Sequence, residues 1–158
     1  MASCTWRRSI RLIAFAERLH LTGFDSVTNY VLLPEWKGEL LQDYEEMAGA
    51  RSAEWEVLAK RSVVPYFPSV SPGWDANPRA EDYGKEKPKR YPWSPIVTGR
   101  SPELFGYHLR QAIRFSRARH GEDARVFISS WNEWSEGHYL EPDEKFGYAW
   151  LRAVRESR

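Results

Sequence analysis

Cysteine is all but missing. Cys4 stands alone among 158 residues, which excludes an intrachain disulfide and any cysteine-based zinc site and points to a reducing compartment. Neither sign of charge is in excess: 23 Lys and Arg against 22 Asp and Glu leave a formal +1. No net field therefore draws the molecule to nucleic acid or to an anionic membrane. Long hydrophobic runs are lacking too. The moderately apolar residues 10–21 are interrupted by Arg11, Glu17, Arg18 and His20, which leaves neither a signal-peptide core nor a membrane span, and a cytoplasmic location is the expectation. The four histidines form no helical metal pair; His20, His108 and His120 read as helix-surface or helix-end residues, so neither a metal nor a cofactor is expected. A Gly-rich phosphate loop and a D-x-D metal motif, the marks of a nucleotide-sugar site, are absent as well.

Aromatic residues are plentiful. They make up 15% of the chain, with eight Trp, more than one small core needs, and flat amphipathic rings suit a cleft for sugars or other partly hydroxylated ligands. They concentrate where the chemistry does. Residues 125–143, RVFISSWNEWSEGHYLEPD, open with the apolar run Val126, Phe127 and Ile128, which fits a strand buried on both faces, and end in carboxylates, tryptophans and amides. Glu133 and Glu136 stand three apart where the apolar run gives out, and Gly137 lets the chain turn away. A bare pair of this kind is ordinarily solvated surface. Here Trp131 and Trp134 flank it, and Asn132, His138 and Glu141 add polar groups within a few residues. Two acids in a tryptophan-lined, partly dry site acquire separated pKa values, which is what lets an acid and a base coexist at neutral pH.

The chain length suits one domain, residues 1–158. Residues 6–20 carry an amphipathic helical pattern, and residues 24–33 read as a strand closed by Pro34. Residues 38–60 are rich in helix formers, with a break expected around Gly49 to Ser52. The next strand, 62–70, is expected to be short or irregular because of Pro65 and Pro68. Residues 71–100 then hold five of the ten prolines without clear periodicity and read as a long functional loop. Its first part, SPGWDANPR, sets Trp74, Asp75 and Arg79 between backbone-fixing residues; residues 79–90 are charged and read as a solvated, mobile face. Ser101-Pro102-Glu103 is a helix start, with Phe105, Leu109, Ala112 and Ile113 as the buried stripe of a helix to about residue 119. A last helix, 145–156, faces Phe146, Trp150, Leu151 and Val154 inward.

Alternating helices and covered strands are the pattern of an α/β fold made of parallel βα units. Ligands in such folds sit at the carboxyl ends of the strands, which brings together Asn29 and Tyr30, then Trp74, Asp75 and Arg79, then Glu133 and Glu136. Three strands are too few for a closed barrel, so the unit is expected to be the end of a longer barrel, or to be completed by self-association with a second copy, or to remain an open sheet.

SPGWDANPR, the SPELF that opens a helix, and the run W-N-E-W-x-E-G-x-x-L-E-P-D-x-x-x-G resemble the carboxyl-terminal part of the WbsX-type glycosyltransferase family, also described as glycoside hydrolase family 99-like, from about residue 23 onward. The resemblance implies part of a (β/α)8 TIM-type barrel whose amino-terminal half lies outside this chain. It implies a carbohydrate substrate, a polysaccharide or lipopolysaccharide glycan. By similarity to the endo-α-mannosidases, Glu133 resembles the base that activates the sugar's own 2-hydroxyl to give an anhydro-sugar, and Glu136 the acid that protonates the leaving oxygen and later activates water. Trp74, Asp75, Arg79, Tyr30, Asn132, Trp134, His138 and Glu141 are the implied substrate contacts. Arg79 could instead pair with Asp75 to hold its loop, and Glu141 could orient a neighbour. Hydrolysis, glycosyl transfer in lipopolysaccharide or O-antigen assembly, and a truncated glycan-binding remnant stay open as functions.

Overall fold

A computed structural model of the chain describes residues 23–30, 34–81, 86 and 88–158. The expected first helix, Cys4, residues 31–33 of the first strand, and Lys85 and Lys87 of the charged segment lie outside the described residues.

Three parallel strand segments form the centre. β1 (Val27–Thr28) lies beside β3 (Tyr66–Phe67), with Val27 opposite Tyr66; β4 (Ser69–Val70) lies beside β6 (Phe127–Ile128), with Ser69 opposite Phe127. β3 and β4 are separated only by Pro68. A proline cannot donate to a ladder, so the two halves pair with different neighbours, and the strand is as short as the prolines predict. This run is the core of the sheet: Tyr66, Phe67, Ser69 and Val70 are all buried. A second parallel pair, β2 (Leu41–Asp43) with β5 (Ile96–Thr98), was not expected from the sequence. It closes the long 71–100 loop, because the Val97 N–H donates to the Trp74 carbonyl at 2.9 Å.

The helices follow their caps. In α1 (Tyr44–Arg61) the Asp43 carboxylate accepts from the backbone N–H groups of Glu45 and Glu46 at 2.8 and 3.2 Å, with acids in the first turn and Lys60 and Arg61 in the last. The expected break at 49–52 does not occur. Gly49 lies on the exposed side, and the Ser52 hydroxyl folds back onto the Ala48 carbonyl at 2.8 Å; burial of Tyr44, Met47, Ala48 and Trp55 on one face outweighs the roughly 1 kcal/mol a helical glycine costs.

α2 (Pro102–His120) starts at Ser101, whose hydroxyl accepts from Leu104 N–H at 3.2 Å, and stops at Gly121. His108, expected on the helix surface, is only 2% exposed. It shares the face of Phe105, Leu109 and Ala112, stacks on Trp55 of α1 (5.3 Å, 10°) and has Nε2 at 2.8 Å from Ser52 Oγ. α3 (Ala149–Glu156) is shorter than predicted; its Trp150 is fully buried against Phe105, ring centres 5.9 Å apart.

The strand β6 departs from its expected burial on both faces: Phe127 is 45% exposed. Among the described residues β6 is paired along one edge only. The molecule is thus an α/β assembly of parallel βα units, and among the described residues no helix is long and apolar enough to cross a membrane.

Candidate active site

The carboxyl ends of β1, β4 and β6 lead into the three stretches singled out above. After β4 the chain is buried from Ser71 to Trp74, held by Tyr44 O–H donating to the Ser71 carbonyl at 2.7 Å and by Ser71 Oγ donating to the Gly73 carbonyl at 2.8 Å. Asp75 then makes an Asx turn. Its Oδ1 accepts from Asn77 N–H at 2.9 Å and from the Asn77 amide at 2.7 Å, and a 3-10 turn at Asn77–Arg79 follows with Pro78 inside it. That turn aims Arg79.

After β6 the chain forms a small hairpin, β7 (Asn132–Glu133) antiparallel to β8 (His138–Tyr139), joined by a 3-10 turn at Trp134–Glu136. Gly137 closes the turn at φ +66°, and a Cβ there would lie 2.9 Å from both Asp75 N and Asp75 Cβ. Only glycine permits this approach, which is sealed by Asp75 N–H donating to the Glu136 carbonyl at 2.7 Å. The two loops are thereby locked together, backbone to backbone.

Arg79 reaches across the junction with every nitrogen engaged. Nε donates to Ser135 Oγ at 2.7 Å, Nη2 meets Glu133 Oε1 at 3.1 Å, and Nη1 meets Glu136 Oε1 at 3.0 Å and the Tyr91 hydroxyl at 3.2 Å. The anticipated alternative, Arg79 pairing with Asp75, is not what forms; Asp75 is committed to Asn77. Glu133 and Glu136 share one guanidinium, yet their surroundings differ. The Glu133 side chain is 32% exposed and that of Glu136 8%. Glu133 is held below the usual carboxylate range, first by the Ser135 hydroxyl and then by Arg79, against the opposing pull of desolvation. Glu136 Oε2 lies 3.1 Å from His138 Nε2, and His138 Nδ1 lies 3.2 Å from Ser130 Oγ, a chain that runs from the cluster into the interior.

Tyr30, 67% exposed, sits edge-on to His138 with ring centres 6.5 Å apart. Its phenol is pushed above the usual range by partial burial first and then by the negative charges of Glu136 and Glu133. Trp74 is buried, stacked on His138 (5.7 Å, 14°) and edge-on to Trp36 (5.6 Å, 87°), and forms the wall behind the acids. Trp134 is exposed on one face and stacked on Tyr139 on the other (3.7 Å, 16°), while its indole N–H donates to Glu141 Oε2 at 2.6 Å. Glu141 therefore orients Trp134. Asn132 is exposed on β7 next to Glu133.

Tyr91, Ser135, Trp36 and Arg100 complete the site without having been predicted. Arg100 donates to the Gly137 carbonyl and, at 3.1 Å, to the Tyr139 hydroxyl. Their available signals were weak: Tyr91 and Arg100 lie in the proline-rich loop, and Ser135 occupies the variable position of the acidic motif. Among the described residues no group of three His, Cys, Asp or Glu side chains is arranged to hold a metal ion.

A family model described as "Glycosyltransferase WbsX" matches residues 12–154. The chain belongs to the WbsX glycosyltransferase family. Two WxcX proteins, from two strains of Xanthomonas campestris pv. campestris, are 35% and 34% identical to this WbsX chain over 125 residues. The match covers 78% of the chain but only 16% of each relative, so the chain spans a small part of those proteins. A solved structure described as a glycoside hydrolase-like protein has the same fold over 84% of this chain and 37% of its own length, with a TM-score of 0.57 and 19% identity. On this WbsX chain the acidic motif and the P-G-W-D-x-x-P-R segment, far apart in sequence, meet through Arg79 and through the Asp75–Glu136 backbone bond.

Proposed function

We propose that this WbsX chain supplies the acid/base pair of a site that breaks or re-forms glycosidic bonds in a polysaccharide or lipopolysaccharide glycan, with Glu133 and Glu136 as the acting groups. One observation carries the reading: both carboxylates bind the same Arg79 guanidinium at the carboxyl ends of parallel strands. Their oxygens, each bound to one arm of the guanidinium, are held within about 8 Å of each other, no farther apart than the roughly 9.5 Å over which paired carboxylates work across a glycosidic bond.

The roles are those the family resemblance implies, and the surroundings of Glu133 support its part. Glu133, kept ionised by Ser135 and Arg79, takes the proton of the sugar's 2-hydroxyl as that oxygen attacks the anomeric carbon. Glu136 gives its proton to the leaving glycosidic oxygen, so the bond breaks with charge conserved. In the second step Glu136 takes a proton from the incoming hydroxyl, the anhydro bond opens, and the 2-oxygen recovers its proton from Glu133. Water as the incoming group gives hydrolysis; a sugar hydroxyl gives transfer. The acid role requires Arg79 to loosen its hold on Glu136 as a sugar enters. Trp74 and His138 shape the wall, and Tyr30, Asn132 and the exposed face of Trp134 are the surfaces that hold the sugar. The chemistry calls on neither a metal nor a cofactor.

The test is incubation of the purified chain with α-mannose-containing oligosaccharides, with released or transferred sugar followed by mass spectrometry. Glu133→Gln and Glu136→Gln should each lower the rate by about 100-fold or more, the usual weight of a positioned acid or base, while oligosaccharide binding persists. A second reading, a glycan-binding part without turnover, is favoured by the exposure of Phe127 on β6, a strand paired along one edge only among the described residues. Binding without turnover in the unaltered chain would select it.

A further inference from the structure

The reading of Glu133 and Glu136 as a working pair leaves Tyr91 unexplained. It comes from the proline-rich loop, 12 residues after Arg79 and 45 before Glu136, and its hydroxyl accepts from Arg79 Nη1 at 3.2 Å and donates to Glu136 Oε1 at 3.4 Å. Its ring is fixed from behind by Trp36 (6.2 Å, 69°), which packs in turn on Trp74, so the phenol is aimed by the same aromatic wall that backs the acids. The segment is braced by Trp93 N–H donating to the Arg90 carbonyl at 2.9 Å and by the Trp93 indole N–H donating to the Glu81 carbonyl at 3.0 Å.

The forces on the guanidinium are lopsided without it. Ser135 and Glu133 hold Nε and Nη2, and on the opposite side, among the described residues, Nη1 is held by Glu136 and Tyr91. The groups that face Glu136 are Arg79, Tyr91 and His138, with Glu133 and Tyr30 beyond them; Asp75, although its backbone touches the Glu136 carbonyl, turns its carboxylate to Asn77. A planar fork distributes itself between two carboxylates according to the hydrogen bonds that fix its orientation.

We propose that Tyr91 is a positioning residue of the Glu133–Glu136 pair, bracing the Arg79 guanidinium against Glu136 so that one cation stays divided between the two acids. This rests on the acid/base reading for its functional meaning, but the bracing itself can be observed without turnover. In Tyr91→Phe the ring stays against Trp36 and only the hydroxyl is lost. In the unaltered chain the Arg79 Nη groups should give separate, slowly exchanging signals in arginine-side-chain 15N–1H spectra. In Y91F those signals should merge as the guanidinium rotates, while the Nε–H bound to Ser135 remains. Tyr91→Leu, lacking ring and hydroxyl, should behave alike. In the turnover assay the variant should lose about 10-fold or more in kcat with little change in KM, and a limb of its pH profile should move, as expected when reacting groups are misplaced and not unbound. Unchanged Arg79 Nη signals in Y91F overturn the proposal whatever the activity. Merged signals in a chain that turns over no glycan uphold the bracing and reject the acid/base reading instead.

Discussion

Acidification should destabilise this protein in part through His108. The Ser52 hydroxyl spends its proton on the Ala48 carbonyl, so at the 2.8 Å contact with His108 it can only accept, and the imidazole must carry its proton on Nε2. Nδ1 is then a bare nitrogen, buried and without a hydrogen-bond partner among the described residues, with the Trp55 ring stacked on its face. A second proton would have to be placed there without an acceptor. Burial accordingly pushes the His108 pKa down from 6.5 to about 4. The unfolded chain then binds this proton more readily than the folded one. The stabilising effect of the neutral ring is complete above about pH 6.5, erodes as the pH falls from there, and is gone below about pH 4. At 1.36 kcal/mol per unit, the difference comes to about 3 kcal/mol, a substantial part of the roughly 5–15 kcal/mol that a domain possesses. Urea unfolding of the chain and of His108→Phe, which keeps an aromatic ring on Trp55, should be compared between pH 7.5 and 4. The carboxylates titrate in both proteins and cancel in the difference. Phe should be the less stable at pH 7.5, having lost the Ser52 contact, and should overtake the parent as the pH falls. A stability difference that stays flat over the range would refute both the tautomer and the burial argument.

Two further outcomes test how the site is built. Gly137→Ala sets a Cβ at positive φ and within 2.9 Å of the Asp75 backbone, so it should cost about 2 kcal/mol or more and open the Asp75–Glu136 junction; calorimetry and loss of protection of the Asp75 amide against hydrogen exchange would show it. Ser101→Ala removes the hydroxyl that caps α2 and should cost about 1 kcal/mol in urea unfolding while leaving the Arg79 signals unchanged, because that helix start is separate from the cluster.

The sequence by itself determined the local elements and the order in which they occur. Ser101-Pro102-Glu103 announced α2, because a cap needs only residues a few positions apart, and Pro65 and Pro68 announced a short strand, because a missing N–H is a property of the residue. The rule that loops at the carboxyl ends of parallel strands converge puts Tyr30, Arg79, Glu133 and Glu136 in one neighbourhood, where Arg79 joins the two acids. Local signals failed where packing outweighed them: Gly49 did not break α1, and His108 was drawn inside because its place on the helix faces Trp55. Only the tertiary structure decided what Arg79 binds. Asp75, four residues away, was a plausible partner on spacing alone, but it is consumed by Asn77, and the guanidinium is delivered across the sheet to two acids more than fifty residues further along the chain. The same is true of Tyr91 and of the glycine contact that locks the two loops. These depend on where separate segments come to rest against one another, and spacing along the chain carries no record of that distance.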